Sequence, residues 1–318
     1  MKRLLFALAF LLALAVPAQA QVDTARVDTS DVEAVRRMVQ LSEVVIRTDL
    51  NVGRFLQLVK NDTTFYKAFR NLRILGFTSL NDISLTDKRG RVQASLRSKT
   101  RQVRSGGCRT MEVLEEKTTG DFYEGDRAYN YYTAELYAGL FFTRGRVCGE
   151  NNIVGNTERN VRNKKGADKH KEQLKMLFFN PGKHIPGIPF IGDKLDVFDE
   201  DVAPYYDYLI DYADLNGQPC YVFSIKAKEG LTGGQKDKIV FDNITTWFHA
   251  RSFEILSRTY DLSYNAAVYD FDVHMEVEMT RFNGLLVPAV LRYKGTWDVA
   301  LKKRERGQFT ATLSGFTQ

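Results

Sequence analysis

The sequence predicts an α+β protein in which a large, curved antiparallel β-sheet, a half-barrel-like meander, is covered on one face by N-terminal helices. Residues 269–280 alternate between apolar and polar side chains without a break, the pattern of one long strand with a dry and a wet face. Asn-Gly pairs at 216–217 and 283–284 predict tight turns between strands of such a sheet. Ser30-Asp31-Val32-Glu33 matches a capping box and predicts the start of the first helix.

The first twenty residues are organised as a secretory signal peptide. Lys2 and Arg3 precede an apolar stretch at 4–16, and Ala18-Gln19-Ala20 matches a small-x-small cleavage site. The apolar stretch is short for a membrane anchor, so we expect cleavage after Ala20. The mature chain, 21–318, is then predicted to be a single β-rich domain in the periplasm or outside the cell.

The charge of the chain does not indicate a nucleic-acid partner. The sequence holds 45 basic and 39 acidic residues, a formal net charge of +6, and removal of Lys2 and Arg3 leaves 43 minus 39, or +4. A balance of this size is ordinary and argues against binding nucleic acid. After the signal peptide, no segment is long and apolar enough for a transmembrane helix, so we expect no stable membrane span.

The elements of the mature chain follow in order. Helices are predicted at about 30–75, with an interruption near Asn61-Asp62. Strands and loops are predicted at about 83–200, where 129–142 fits either a helix or a buried strand. A meander of long antiparallel strands is predicted at about 204–314.

Three cysteines, Cys108, Cys148 and Cys220, allow three disulfide pairings in an oxidising compartment. Cys108 and Cys148 both lie in Gly-containing basic segments, whereas Cys220 begins a predicted strand. We favour a Cys108–Cys148 bond, and three buried reduced cysteines are the alternative that the sequence leaves open.

The wet face of the long strand carries four acids and a histidine, namely Asp270, Asp272, His274, Glu276 and Glu278. Such a face fits a metal site, an acid/base pair or a ladder of ion pairs with the next strand. A two-residue turn at Asn283-Gly284 would set Glu276 opposite Leu291 and mix the two faces. A three-residue loop would set Glu276 opposite Arg292. We favour this register, in which the wet face forms a ladder of ion pairs with the next strand.

No motif predicts catalysis or a cofactor. The sequence has no G-x-S-x-G elbow, Walker loop, dinucleotide fingerprint or His-Glu-x-x-His pair. The acidic cluster at 193–201 lacks the spacing of a calcium loop. We therefore expect no catalytic residue, no metal and no cofactor, and a binding role rather than an enzymatic one.

Three segments resemble uncharacterised secreted proteins of Gram-negative bacteria: 62–72 (DTTFYKAFRNL), 269–275 (YDFDVHM) and 302–307 (KKRERG). More distantly, the signal peptide, the N-terminal helix and the meander of long strands are similar to the periplasmic lipoprotein-carrier (LolA-like) fold. That resemblance implies an open half-barrel whose apolar concave face, covered by helices, holds acyl chains. It transfers no site residue to this chain.

We predict an exported soluble protein that binds a lipid, a lipoprotein acyl chain or another apolar ligand in the cavity of the sheet. Envelope proteins are further candidate partners. Two alternative hypotheses are an outer-membrane β-barrel or envelope interaction protein, and a hydrolase that uses Asp272 and Glu276. The predicted ligand contacts are Phe271, Val273, Met275, Val277 and Trp247, and a Pro/Gly-rich segment supplies the lid candidates Ile185, Ile188 and Phe190.

Overall fold

The computed structural model describes residues 30–155, 173, 176–185, 188, 191–266, 269–299 and 304–318. The predicted signal peptide, with its cleavage site after Ala20, lies outside the described residues and stays a prediction. Phe190, the third lid candidate, also lies outside them.

Within the described part of the chain, the strands form one 12-stranded, open, curved sheet in the order β1-β6-β7-β8-β9-β10-β11-β12-β2-β3-β4-β5. All neighbouring strands are antiparallel except β1 and β6, which run parallel. The strands are β1 Val39–Leu41, β2 Gly76–Thr86, β3 Val92–Ser105, β4 Cys108–Thr119, β5 Val147–Cys148, β6 Tyr206–Leu215, β7 Gln218–Ala227, β8 Phe241–His249, β9 Ile255–Ala266, β10 Tyr269–Phe282, β11 Leu285–Val299 and β12 Glu305–Thr317.

Helices cover one face of this sheet, called here the inner face. Helix α4 packs on β11, α5 on β12, and α1 and α2 on β6. The predicted α+β architecture, a half-barrel-like meander with N-terminal helices on one face, is confirmed. The helices whose bounds lie within the described residues are α1 Ser30–Met38, α2 Glu43–Ile46, α3 Val52–Lys60, α4 Thr64–Asn71, α5 Tyr132–Phe141 and α6 Gly233–Lys236, with 3-10 turns at Leu72–Ile74, Asp193–Leu195 and Ala203–Tyr205.

The two central N-terminal helices begin where short polar side chains satisfy free backbone N–H groups. Asn51 caps α3, because its Oδ1 accepts from the N–H of Arg54 at 3.0 Å. Asp62 accepts from the N–H of Thr64 at 2.9 Å and so separates α3 from α4, at the predicted interruption. The ambiguous stretch at 129–142 contains α5, and the first strand after the helices begins at Gly76, earlier than predicted.

The turn between β10 and β11 differs from the three-residue loop that we expected from the sequence. The turn at Asn283-Gly284 has two residues, with Phe282 opposite Leu285. Glu276 nevertheless faces Arg292, because a β-bulge at 289 shifts the register of β11 by one residue. The expected three-residue loop is therefore wrong, whereas the expected pairing of Glu276 with Arg292 is present.

The dry face of β10 lies in a part of the core that is closed to solvent. Phe271, Val273, Met275 and Val277 are all 2% exposed or less. The ring of Phe271 lies 5.1 Å from that of Trp297 on β11. Burial of several such side chains, each worth about 1.5–3 kcal/mol, makes this face a main source of stability.

Candidate functional site

The inner face changes from apolar to polar along β2 and β3. Ile83 and Leu85 of β2 continue the apolar core, but Ser79 and Asn81 occupy the next inward positions on the same strand. On β3, Ser98, Thr100 and Gln102 face Asn81, Ser79 and Phe77 in register. These five polar side chains, Ser79, Asn81, Ser98, Thr100 and Gln102, are called here the polar wall, and all are buried.

The members of the polar wall satisfy one another. Asn81 Oδ1 accepts from Ser79 Oγ at 2.8 Å and from the hydroxyl of Tyr137 on α5 at 3.1 Å. Its Nδ2 donates to Ser98 Oγ and Thr100 Oγ1, both at 3.3 Å. Burial raises the pKa of Tyr137, which keeps its hydroxyl protonated as a donor. The Asn81 carboxamide therefore uses both its donor and its acceptor atom within the protein.

Gln102 is equally committed. Its Nε2 donates to the carbonyl oxygens of Leu72 and Leu75 at 2.7 and 2.6 Å. Its Oε1 accepts from Thr143 Oγ1 at 3.0 Å and from Arg109 Nη1 at 3.1 Å. All four hydrogen-bonding positions of the carboxamide are filled. The buried amide thus fixes the chain after α4 to the sheet without needing a ligand.

A cavity of about 260 Å³ lies against the polar wall, between β2, β3 and β12 and the helices α4 and α5. The rest of its lining is aromatic and aliphatic, together with three arginines and one glutamate. The apolar lining is Tyr66, Phe69, Leu72, Phe77, Leu140, Phe141, Phe142, Phe179, Ala311 and Leu313; the charged lining is Arg70, Arg73, Arg109 and Glu150. The cavity therefore combines apolar rings with polar and charged side chains, and concave sites of this kind are where small molecules bind.

The disulfide fixes the segment that carries Glu150. Cys108 and Cys148 are bonded, with Cα atoms 4.0 Å apart, so the structure contains the pairing that we favoured from the sequence. Arg109, next to Cys108, places its Nε 2.5 Å from Glu150 Oε2. The disulfide therefore holds this ion pair at the wall of the cavity. Cys220 is free and buried.

The predicted ligand contacts do not lie around this cavity. Phe271, Val273 and Val277 belong to the closed core, and Met275 borders only a void of about 10 Å³. Contact of these residues with a ligand stays a prediction. Trp247 does not share their face: Thr246 faces inward opposite Phe223 and Arg258, so alternation turns Trp247 to the outer face, where it is half-buried. The prediction that Trp247 lies on the apolar face is wrong.

The lid candidates also lie away from the cavity. Ile185 is 1% exposed and belongs to the core, and Ile188 is half-buried against it. Both residues are hydrogen-bonded to Gly192: Gly192 N donates to Ile188 O at 3.3 Å, and Ile185 N donates to Gly192 O at 3.4 Å. Neither borders the 260 Å³ cavity. A lid function of this segment stays a prediction.

One sequence signal could have located the cavity. In β3, the dry positions Ala94 and Leu96 continue as the uncharged polar residues Ser98, Thr100 and Gln102, while Arg97, Lys99 and Arg101 alternate with them. Uncharged polar side chains at dry positions indicate a buried polar surface, because exposed positions of the same strand are charged. The residues of α4 and α5 that line the cavity show no comparable pattern in the sequence.

The wet face of β10 forms a charge ladder. Arg292 Nη1 lies 2.5 Å from Glu278 Oε1 and 3.3 Å from Glu276 Oε2. His274 Nδ1 lies 2.5 Å from Asp261 Oδ1, and its Nε2 lies 3.1 Å from Glu276 Oε1. Among the described residues, no group of three or more His, Cys, Asp or Glu is arranged to hold a metal ion. None of the described helices has the length and apolar character to cross a membrane.

The pKa of His274 gives a pH-dependent prediction. Burial disfavours the charged ring, but hydrogen bonds and attraction from Asp261 and Glu276 outweigh it, so the pKa is raised above its ordinary value of 6.5. Lys294 is its cross-strand neighbour. A raised pKa contributes stability that is full below the ordinary value and is lost as the pH rises through the folded value.

We therefore expect His274→Gln to lower the free energy of unfolding at about pH 5.5 by up to about 1 kcal/mol, because the side chain is partly exposed. The difference from wild type should shrink as the pH is raised to about 9.5. Urea unfolding of both proteins at a series of pH values measures it. A difference that grows with pH would contradict the assignment.

Comparison with known proteins gives no family. No family model matches the chain, and no curated protein matches it. Among solved structures, a DUF1329 family protein from Desulfovibrio piger is 11% identical with a TM-score of 0.26, covering 90% of this chain and 92% of its own. A Vibrio parahaemolyticus domain described as outer membrane lipoprotein-sorting is 8% identical with a TM-score of 0.26, covering 79% and 90%. Lipovitellin is 8% identical with a TM-score of 0.26, and the match covers 76% of this chain and 25% of lipovitellin. At these values the likenesses carry no argument about function.

Proposed function

We propose that the protein binds a small apolar ligand in the cavity between β2, β3 and β12 and the helices α4 and α5. The observation that carries the proposal is the pairing of two surfaces in one cavity of about 260 Å³. One surface is rich in aromatic rings. The other is the polar wall, whose amide groups are already satisfied, so an apolar group beside them leaves no hydrogen bond unmade.

The size of the cavity restricts the ligand. Small-molecule sites typically have volumes of about 300–1,000 Å³, so a cavity of about 260 Å³ suits one short chain or one ring system. Each Å² of apolar surface that such a ligand buries contributes about 25 cal/mol to the free energy of binding. Larger lipids could place only part of an acyl chain inside.

Export is part of the same proposal. The signal peptide predicted at residues 1–20 supports it, and so does the Cys108–Cys148 disulfide, because such bonds persist mainly in oxidising compartments. We propose a periplasmic or secreted binding protein that takes its ligand from, or passes it to, other components of the envelope.

Binding of ten-carbon probes tests the proposal. Calorimetric titration of the purified protein with decanoate and with decanol should give saturable binding of one molecule per chain. Ala311→Leu should abolish or greatly weaken that binding, because Ala311 is an inward residue of β12 that lines the cavity.

Thr310→Leu is the matched control, since Thr310 is exposed on the other face of the same strand. This variant should bind both probes as wild type does. The proposal fails if neither probe binds, or if Ala311→Leu binds them with unchanged affinity while remaining folded. If the probes bind as expected, native mass spectrometry of protein from its own host identifies the natural ligand.

A further inference from the structure

We infer that the cavity selects an amphiphile with an anionic headgroup, a carboxylate or a phosphate, and that Arg70 and Arg73 of its rim bind that headgroup. This inference rests on the proposed function, because it concerns the same cavity. It goes further by naming the chemical class of the ligand and the residues that recognise it.

The charged lining is unbalanced. Three guanidinium groups, those of Arg70, Arg73 and Arg109, face a single carboxylate, that of Glu150, which leaves a formal charge of +2 (three minus one). Aromatic side chains line the same cavity as these charges and limit the solvent that screens them. A cleft lined by one sign of charge with apolar walls concentrates ligands of the opposite sign. A cationic or neutral headgroup gains no comparable attraction.

The three arginines are not equivalent. Arg109 is held by Glu150 at 2.5 Å and by Gln102 at 3.1 Å, and it also donates to Thr143. Its charge is therefore neutralised and its orientation fixed within the protein. Arg73 lies 3.6 Å from the same carboxylate, at its other oxygen, so its pairing is looser. We infer that Arg109 and Glu150 position the rim rather than contact the headgroup.

Arg70 retains hydrogen-bonding capacity. Its Nη2 donates to the carbonyl oxygen of Asn151 at 3.1 Å, but its buried Nε has no partner among the described residues. A guanidinium presents a planar fork that suits bidentate binding of a carboxylate or phosphate. An incoming anion would give the unpaired donor a charged acceptor after a small rotation of the side chain.

The headgroup is placed at the rim because the carboxamide groups of the polar wall have no free donor for it. Asn81 and Gln102 have committed their amide groups to protein partners. An anion beside them would lose hydration without gaining donors. The apolar tail therefore belongs inside, between the polar wall and the rings, with the anion next to Arg70 and Arg73.

Four probes with the same ten-carbon chain separate the inference from the proposed function. Titrations with decanoate, decyl phosphate, decanol and decylammonium should show at least one anion binding about tenfold more tightly than decanol, a difference of about 1.4 kcal/mol. Decylammonium should bind most weakly. The relative affinities of decanoate and decyl phosphate then identify the preferred headgroup.

Arg70→Gln and, independently, Arg73→Gln should remove most of the anion preference and leave the affinity for decanol unchanged. Lys67→Gln is the control, because Lys67 is exposed on the same helix and does not line the cavity. Equal binding of decanol and both anions, or tight binding of decylammonium, would overturn the inference and leave the apolar site intact. If no probe binds at all, the proposed function itself fails.

Discussion

Replacing Phe55 by alanine should lower the free energy of unfolding by about 3–5 kcal/mol, the usual cost of removing a buried phenylalanine ring. Phe55 is 1% exposed and lies on α3, facing the sheet. Its ring contacts four others, those of Tyr221, Phe223, Phe248 and Phe253, at centroid distances of 6.0, 5.9, 5.3 and 5.9 Å. Since strands β7 and β8 hold three of these rings in place, the resulting cavity cannot collapse easily.

The measurement is equilibrium unfolding in urea. Wild type and variant are compared with the same m-value, the slope of the free energy of unfolding against urea concentration. Leu58→Ala is the matched control, because Leu58 is on the same helix but 45% exposed. We expect that control to cost about 0.5 kcal/mol, as exposed substitutions usually do. A loss below about 1 kcal/mol for Phe55→Ala would show that α3 does not anchor the helical layer to the sheet.

The features that the sequence predicted are those encoded by neighbouring residues. The alternation at 269–280 identified β10 and its buried face, and the interruption predicted near Asn61-Asp62 lies between α3 and α4. In each case the signal and the element lie within one or two turns of chain. Secondary structure of this kind follows from local periodicity and capping.

The candidate cavity depends instead on contacts between distant residues. Asn81 meets Tyr137, which is 56 residues away, and Gln102 meets Thr143, which is 41 residues away. No local pattern specifies which helix covers β2 and β3. The bulge at 289 is equally hidden, because a single extra residue in one strand changes the register without changing the composition.

The dry face of β10 lines a closed core because aromatic side chains fill the space above it. On the neighbouring strand, Gly295 lies opposite Val273, and a Cβ at Gly295 would clash with the hydroxyl of Tyr293. The missing side chain lets the Tyr293 ring lie flat along the sheet, stacked on Phe309 at 4.8 Å. The aromatic layer fills the space above β10 and leaves the open volume at β2 and β3.

Replacing Asp62 by alanine should destabilise the protein by about 3–5 kcal/mol, because it leaves a buried arginine without its counter-charge. Arg258 is 6% exposed on the inner face of β9. Its Nη2 lies 4.0 Å from Asp62 Oδ2, its Nε donates to Thr246 Oγ1 at 2.9 Å, and its guanidinium lies 4.4 Å above the ring of Phe65. Burial lowers the pKa of Arg258, which reflects the cost of holding a charge there.

Two further variants separate the charge of Asp62 from its hydrogen bond to Thr64. Asp62→Asn keeps an acceptor for the N–H of Thr64 but removes the negative charge, so it should retain the contribution of that hydrogen bond, about 1 kcal/mol, and lose the rest. The double variant Asp62→Asn, Arg258→Met should recover most of the stability, because no unpaired charge is buried and methionine can still pack on Phe65. Urea unfolding of Asp62→Asn, of Arg258→Met and of the double variant, each compared with wild type, gives the coupling energy. If Asp62→Ala costs no more than about 1 kcal/mol, the value expected for the lost hydrogen bond to Thr64, then Asp62 does not compensate the buried charge. The same follows if the double variant is no more stable than Asp62→Asn. The hydrogen bond to Thr246 and the Phe65 ring would then sustain the charge of Arg258.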